Sequence, residues 1–328
     1  MSAQFDVVDL DDGWTRGARE PGGDERKRWF RAPDSSPHAG HWLFKPRTEK
    51  PLTLSKVRQA RGDSPDVLIS GEDWAEKISY ELALLLNLPA VETELATATP
   101  PGEQRVWGSM SRDMRPKVPE SKRSQRWPSS AGASLLAEVD PAFDANTCVG
   151  HTLDAVCDVL TRAKVVGPVG TEYAEWSAFD VWAGYLMLDA WIANTDRHAH
   201  NWGVVQDPTS GATYLGPTYD HGTALAAGET ERKRADRVKG DSVAQWCDRG
   251  GTFRFYGGKW RALVDLAVEA LSLCSPDART HWVSQITAVD LGVCDSVTSR
   301  IPNMSDPTRT FVNTVITTNR KRLCDALH

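Results

Sequence analysis

A long apolar run that ends abruptly in a cluster of polar residues constrains this chain more than any other feature. Residues 172–193 are predicted helical, with Trp176, Phe179, Trp182, Leu186, Ala190 and Ala193 recurring at helical spacing so that one stripe faces a core. Directly after it comes Asn194-Thr195-Asp196-Arg197-His198-Ala199-His200-Asn201. A buried helix that delivers a charged loop is a rigid support for a site. Two short β-prone runs, 202–206 and 212–215, then flank Asp207-Pro208-Thr209-Ser210-Gly211, a hairpin signal. A hairpin there would return Tyr219-Asp220-His221-Gly222 to the side of Asn201.

With 328 residues, 40% hydrophobic and 25% charged, the chain can bury a sizeable core and is expected to form two lobes or domains. A net charge of −6 argues against general affinity for nucleic acid or anionic membranes, and no nucleic-acid motif is present. The six cysteines are widely spaced without a C-x-x-C pair, which predicts reduced, structural thiols and no zinc site. The N-terminus is acidic rather than signal-like, and no apolar run approaches the ~20 residues of a membrane span. A cytoplasmic protein is expected.

The residue types at 196, 201 and 220 point to a chemistry. A transferring phosphoryl group spreads negative charge over its oxygens, so its site needs Mg²⁺ held by hard oxygen ligands and a carboxylate that orients the attacking hydroxyl. Asp196 fits that carboxylate. Asn201 offers a neutral carbonyl oxygen from the same loop and Asp220 a charged oxygen from the next. An Asp and an Asn separated by four residues, then an Asp with Gly two positions on, resembles the arrangement of protein kinases. Asp, Asn and Gly are also common loop residues.

The front of the chain reads differently. Residues 15–28 (TRGAREPGGDERKR) read as an extended loop whose Gly17, Gly22 and Gly23, with Arg19 and Lys27, bring backbone amides toward an anion; a solvated N-terminal arm is the competing reading. Trp29-Phe30-Arg31 and His41-Trp42-Leu43-Phe44-Lys45 read as strands around a turn. Lys45 is then either an exposed edge residue or an ammonium that grips phosphates, with Arg47 as the fallback. A helix over 73–87, stopped by Pro89, carries Trp74, Ile78, Leu82, Leu85 and Leu86 as an apolar stripe. Glu81 lies on that stripe, whereas Glu76 lies roughly opposite and forms a D-x-x-E capping-box pattern with Asp73. Strands over 91–97 and 105–112 lead into Asp113-Met114-Arg115-Pro116, and 116–130 reads as a linker. From Gly132 the pattern is helical: 134–139, 151–160, 260–273, 278–288 and 310–327. A strand-rich front and a helix-rich rear predict an α+β, two-lobed protein-kinase-like fold, with a small lobe over 1–116 and a larger helical lobe over 117–328.

Four segments together resemble the HipA-like serine/threonine kinases: Phe44-Lys45-Pro46, WAEKISYELALLLNLP at 74–89, NTDRHAHNWGVV at 194–205 and GPTYDHGTAL at 216–225. The similarity spans about 19–225, and its second half is the specific part. The resemblance implies a kinase-like fold related to the phosphatidylinositol kinases, ATP with Mg²⁺, and phosphorylation of a Ser or Thr hydroxyl on a protein or peptide. It implies Asp196 as catalytic base, Asn201 and Asp220 as metal ligands and Lys45 as the phosphate-binding lysine. The distance to Leu88-Pro89 resembles the family's acidic helix position and favours Glu76 over Glu81 as the partner of Lys45. Gly17-Ala18-Arg19 partly matches the family's glycine-containing phosphate loop, and Pro21-Gly22-Gly23-Asp24 departs from it. The full-length toxin of that family has an additional N-terminal subdomain before its kinase core, whereas this sequence begins almost at the loop, so a toxin role does not follow from the resemblance.

Other classes of function compete. His198 and His200 beside Asp196, with Asp220 and His221 downstream, form a possible metal cluster for a hydrolase. A kinase-like binding module without catalysis is a further alternative. The blander roles are that His198 anchors its loop and Arg197 pairs with a nearby acidic group. For the acceptor, a small-molecule hydroxyl competes with a protein one. Residues 229–249 follow the second loop, and their run Arg232-Lys233-Arg234 is either a dock for an acidic partner or a solvated helix face. Thr15, Ser35 and Ser36 are candidate self-phosphorylation sites.

Overall fold

The front of the chain alternates side chains between two faces and folds as a sheet. The computed structural model describes residues 3–19, 27–53, 61, 67–117 and 126–328. Strands β1 (Val7–Asp9), β2 (Thr15–Arg19), β3 (Arg28–Ala32) and β4 (Gly40–Pro46) are followed by a pair, β5 (Glu49–Pro51) and β6 (Val67–Ile69). Helix α1 (Glu72–Leu85), β7 (Thr93–Ala98) and β8 (Val106–Arg112) complete this part. The six-stranded sheet has the order β1-β7-β8-β4-β3-β2 and is antiparallel except where β1 meets β7. Because successive side chains on a strand point to opposite faces, β4 puts Trp42 and Phe44 into a small core with Phe30, Ala96 and Met110 and turns Lys45 the other way. Gly108 lets β8 close onto that point: a Cβ there would stand 2.2 Å from the Lys45 carbonyl oxygen.

Residues 15–19, expected within an extended loop, are a strand, because β3 offers them a backbone ladder: Thr15 pairs with Arg31 and Arg19 with Arg28. Gly22, Gly23 and the rest of the proposed loop insertion lie outside the described residues.

The rear begins with β9 (Ser129–Ala131), α2 (Gly132–Val139), α3 (Leu153–Arg162) and α4 (Ala178–Trp191), then the hairpin β10 (Gly203–Gln206) and β11 (Thr213–Leu215). The expected linker thus ends in a strand: Ser130 pairs with Val204, and Gly203 is needed because a Cβ there would meet the Ser130 carbonyl oxygen at 2.5 Å. An edge strand needs only backbone partners, so its polar sequence hid it. Helices α5 (Glu231–Lys239) and α6 (Val243–Asp248), a two-residue pair β12 (Gly251–Thr252) and β13 (Arg261–Ala262), and helices α7 (Leu263–Ser272), α8 (Pro276–Ala288), α9 (Leu291–Ser299) and α10 (Asp306–Leu327) follow.

Helix α4 starts at Ala178, six residues later than its pattern suggested, because 172–176 turn back and the Trp176 carbonyl accepts the Gly167 N–H at 2.9 Å. It is also not amphipathic. All 14 of its residues are buried, since α3, α7, α8 and α10 surround it. Each large apolar side chain sealed here is worth about 1.5–3 kcal/mol. Its two carboxylates survive burial by being spent. Asp180 accepts the Ser275 N–H and hydroxyl at 2.9 Å each, and Asp189 is committed to the loop that follows. The stripe of α1 (Ile78, Leu82, Ala83) joins this same large core rather than the small core of the sheet.

Candidate active site

Lys45 stands where the sheet meets the helical part. Its ammonium is 3.0 Å from Glu76 Oε1 and 2.9 Å from Asp220 Oδ1, so one cation ties β4, α1 and the loop after β11 together. Burial alone would pull the ammonium's pKa down; Asp220 and Glu76 outweigh it and hold it above the ordinary lysine value. For Asp220 burial works upward, and the charges of Lys45 and then Lys27 overcome it, leaving the carboxyl well below the usual carboxylate range. Asp220 is therefore a standing anion.

The capping box suggested by Asp73 and Glu76 does not form. Helix α1 begins at Glu72 after Gly71, without a side-chain cap, and Asp73 accepts the Trp74 N–H instead. Glu76 is used at the site: its second oxygen accepts the His221 N–H at 3.0 Å. Glu81 points elsewhere, at Lys77, 2.7 Å away. Arg47 is turned from Lys45's partners toward Glu49 and Asp73.

The Asp220 loop is seated by both halves. Thr218 donates its N–H to the Pro89 carbonyl and accepts the Val91 N–H, each at 2.9 Å. Asp220 itself takes a left-handed φ of 63°, a conformation that Asp tolerates better than most residues. Gly222 is not forced by geometry, because a Cβ there would meet Glu76 Oε1 at an ordinary 3.6 Å.

The other loop leaves α4 through a left-handed Ala193, where Asn194 N–H reaches back to the Asp189 carbonyl at 2.8 Å. Arg197 is its pillar. Fully buried, it grips Asp189 with Nε at 2.7 Å and Nη2 at 2.8 Å, and donates Nη1 to the Asn201 carbonyl at 2.6 Å and the Tyr219 carbonyl at 3.3 Å. A single guanidinium therefore sets the Asn201 and Asp220 segments side by side. The amide nitrogen of Asn201 donates to the Asp196 carbonyl at 2.7 Å, which leaves its side-chain oxygen as the end available to a cation. Asp196 is half-buried, and Arg254 Nε donates to its Oδ1 at 2.6 Å. No sequence signal pointed to Arg254, 58 residues downstream.

The histidines do not converge on a metal. His198 Nδ1 accepts the His200 N–H at 3.2 Å, while His221, pushed down to about 3 by burial and by Arg197, faces Thr218 and Arg197 through Nε2. Among the described residues no three His, Cys, Asp or Glu side chains are grouped to hold an ion. Gly17 and Arg19 lie on β2 with exposed side-chain positions, in a different strand from Lys45. Arg234 is removed from the expected basic surface run: it is buried over Trp74 and donates to the Ala226 and Glu229 carbonyls. Two cavities, of about 410 and 460 Å³, lie elsewhere and are not lined by Lys45, Asp196 or Asp220.

A small sheet carrying an ion-paired lysine and helix glutamate, over a helical part with two polar loops, is a two-lobed α+β protein-kinase-like fold. Among solved structures it is similar to the Helicobacter pylori proinflammatory kinase CtkA, with a TM-score of 0.70 over 98% of this chain and 97% of that one at 14% identity. A chain of the Shewanella oneidensis MR-1 toxin–antitoxin complex of HipA, HipB and operator DNA aligns with 99% of this chain and 68% of its own, at TM-score 0.44 and 12% identity. The golgi casein kinase aligns with 99% of this chain and 72% of its own, at TM-score 0.45 and 11% identity. No protein-family model matches the chain, and no curated protein matches its sequence.

Proposed function

We propose that this chain is an ATP-dependent kinase that phosphorylates a Ser or Thr hydroxyl on a protein or peptide. The observation that carries the reading is Lys45 held at once by Glu76 and Asp220. That places a fixed ammonium, which suits α- and β-phosphate oxygens, beside a standing carboxylate. Asp220 and the free oxygen of Asn201 are hard oxygen donors of the kind that suits Mg²⁺ and would hold it. When bound, the ion would neutralise charge building on the terminal phosphate. Lys27 adds a second cation to the Asp220 side. Gly17 and Arg19, on β2, belong to the same reading as approaches to the phosphates.

Asp196 is the proposed base. The acceptor oxygen bonds to the terminal phosphorus, its proton passes to Asp196 Oδ2, the bond from that phosphorus to the β–γ bridging oxygen breaks, and ADP leaves. Arg254 already occupies Oδ1, so Oδ2 is the oxygen open to the acceptor. The six cysteines are all unpaired, in keeping with a reducing cytoplasm as the place of action. No described helix is long and apolar enough to cross a membrane.

The test is transfer of label from [γ-³²P]ATP by purified protein to itself, to a lysate and to a peptide library, with Asp196→Ala alongside. Label on polypeptide that disappears in the variant supports the reading. Label only on small molecules moves the acceptor to that class. ATP binding without transfer supports an inert kinase-like module, and metal-dependent hydrolysis without ATP binding would favour the hydrolase.

A further inference from the structure

Arg254 reaches the proposed base from a segment that is bolted in place on several sides. Its N–H donates to the Thr252 hydroxyl at 3.0 Å, and that hydroxyl donates to the Thr195 carbonyl, next to Asp196, at 2.8 Å. Its carbonyl accepts from His151 Nδ1 at 2.6 Å. His151 in turn stacks on the fully buried Phe255, with ring centroids 4.3 Å apart, and its Nε2 accepts the Trp202 indole N–H at 3.3 Å. That pattern fits a neutral imidazole, and burial pushes its pKa down to about 4. Two further backbone bonds, Tyr256 N–H to His151 and Gly257 N–H to Cys148, fasten the segment to the loop before α3.

Resting on the kinase reading above, we infer that Arg254 is a positioning residue for phosphoryl transfer, fixing the Asp196 carboxylate by Oδ1 so that Oδ2 faces the acceptor hydroxyl. A carboxylate on a short side chain rotates readily unless one oxygen is tethered, and a charge-assisted bond of 2.6 Å is such a tether. The geometry does not suit a blocking arm. A latch has to swing away, whereas this backbone is anchored to both neighbouring loops, and the guanidinium takes only one of the two carboxylate oxygens. The gain is preorganisation: the base is aimed before the acceptor arrives.

The experiment compares wild type, Arg254→Ala, Arg254→Lys and Arg254→Ala/Asp196→Ala, with myelin basic protein and the chain itself as acceptors. It measures kcat and KM for ATP, the Kd of Mg-ATP, and the thermal midpoint. Arg254→Ala is expected to lower kcat by about 100-fold, the scale of a misplaced reacting group, with the Kd of Mg-ATP changed by less than about threefold and KM for ATP likewise. Arg254→Lys, which keeps the charge, is expected to recover about tenfold of that loss. In the Asp196→Ala background removing Arg254 adds nothing further, because the two act as one unit. Turnover by Arg254→Ala equal to or above wild type overturns the inference. So does a loss shared equally by the Lys and Ala variants and matched by a collapse of the thermal midpoint, which marks a purely structural part. Wild-type protein that transfers no label to any acceptor defeats the kinase reading itself, and the inference with it; an active wild type with an Arg254→Ala as active as it defeats the inference alone.

Discussion

The two ends of the site hold their carboxylates in opposite ways. At one end Lys45 and Glu76 form a buried pair, 14% and 3% exposed at the side chain, and Asp220, 32% exposed, closes it from the solvent side. At the other, Asp196 and Arg254 meet at the edge of solvent, 26% and 43% exposed. Burial strengthens a charge's interactions and raises the cost of leaving it unpaired. Lys45 and Glu76 are therefore at the dry end, and Asp220 reaches from it to the solvent side. The base proposed at Asp196 has to take up and release a proton each cycle, which needs access, and one tether from Arg254 steers it. Arg197 joins the ends, since its buried guanidinium bonds the segments of both Asn201 and Asp220.

The contrast breaks most sharply at the open end. Asp196→Ala is expected to cut phosphoryl transfer by about 100- to 10,000-fold, the usual contribution of a general base, while unfolding in urea changes by about 1 kcal/mol or less, as for other exposed pairs. Asp220→Ala should in addition weaken Mg-dependent ATP binding, read by calorimetric titration. If the Asp196 variant instead unfolds, the open end is structural and the contrast fails. Next in size is the pillar: Arg197→Ala strands Asp189 in the core and should cost about 3–5 kcal/mol in urea denaturation. A loss near that of a surface pair would mean that water reaches Asp189.

Glu76→Ala is expected to cost about 1–3 kcal/mol, because the buried His221 N–H loses its acceptor and Lys45 keeps one carboxylate of two. Glu81→Ala should change stability by less than about 1 kcal/mol, because Lys77 keeps Glu94 at 2.8 Å. Equal losses in the two variants would remove the distinction between them. The last prediction is a pH dependence. Burial lowers the pKa of His151 from 6.5 to about 4, so the unfolded chain takes up the proton first. Its contribution to stability is complete above pH 6.5 and is lost as pH falls toward 4. The loss is on the order of 1 kcal/mol at pH 5.5. Denaturation midpoints across this window should fall less steeply in His151→Gln than in wild type; parallel slopes would acquit His151.

Much of this architecture was legible in local sequence. The apolar, aromatic run of His41 to Phe44, the stripe of Ile78 and Leu82, and the turn at Asp207 to Gly211 are composition, period and turn signals, and each reports the element that contains it. Where reading failed, the missing information was a partner. The strand at 15–19 exists because β3 lies beside it, the polar strand at 129–131 because β10 does, and helix 231–239 is anchored by Arg234 stacking over Trp74. The stripe expected along the Trp182 helix was a wrong surface: helices from later in the chain cover its remaining sides.

By itself the sequence determined which functional groups stand at 45, 76, 196, 201 and 220, because residue type and short spacing are local properties of a polymer. Tertiary structure brought Glu76, the partner the resemblance favoured, to Lys45, and it alone decided that Asp189 holds Arg197 and that Arg254 tethers Asp196 from 58 residues away. Such choices depend on which side chains folding brings within about 3 Å of one another, where a charge-assisted bond forms, and chain separation carries no trace of that distance.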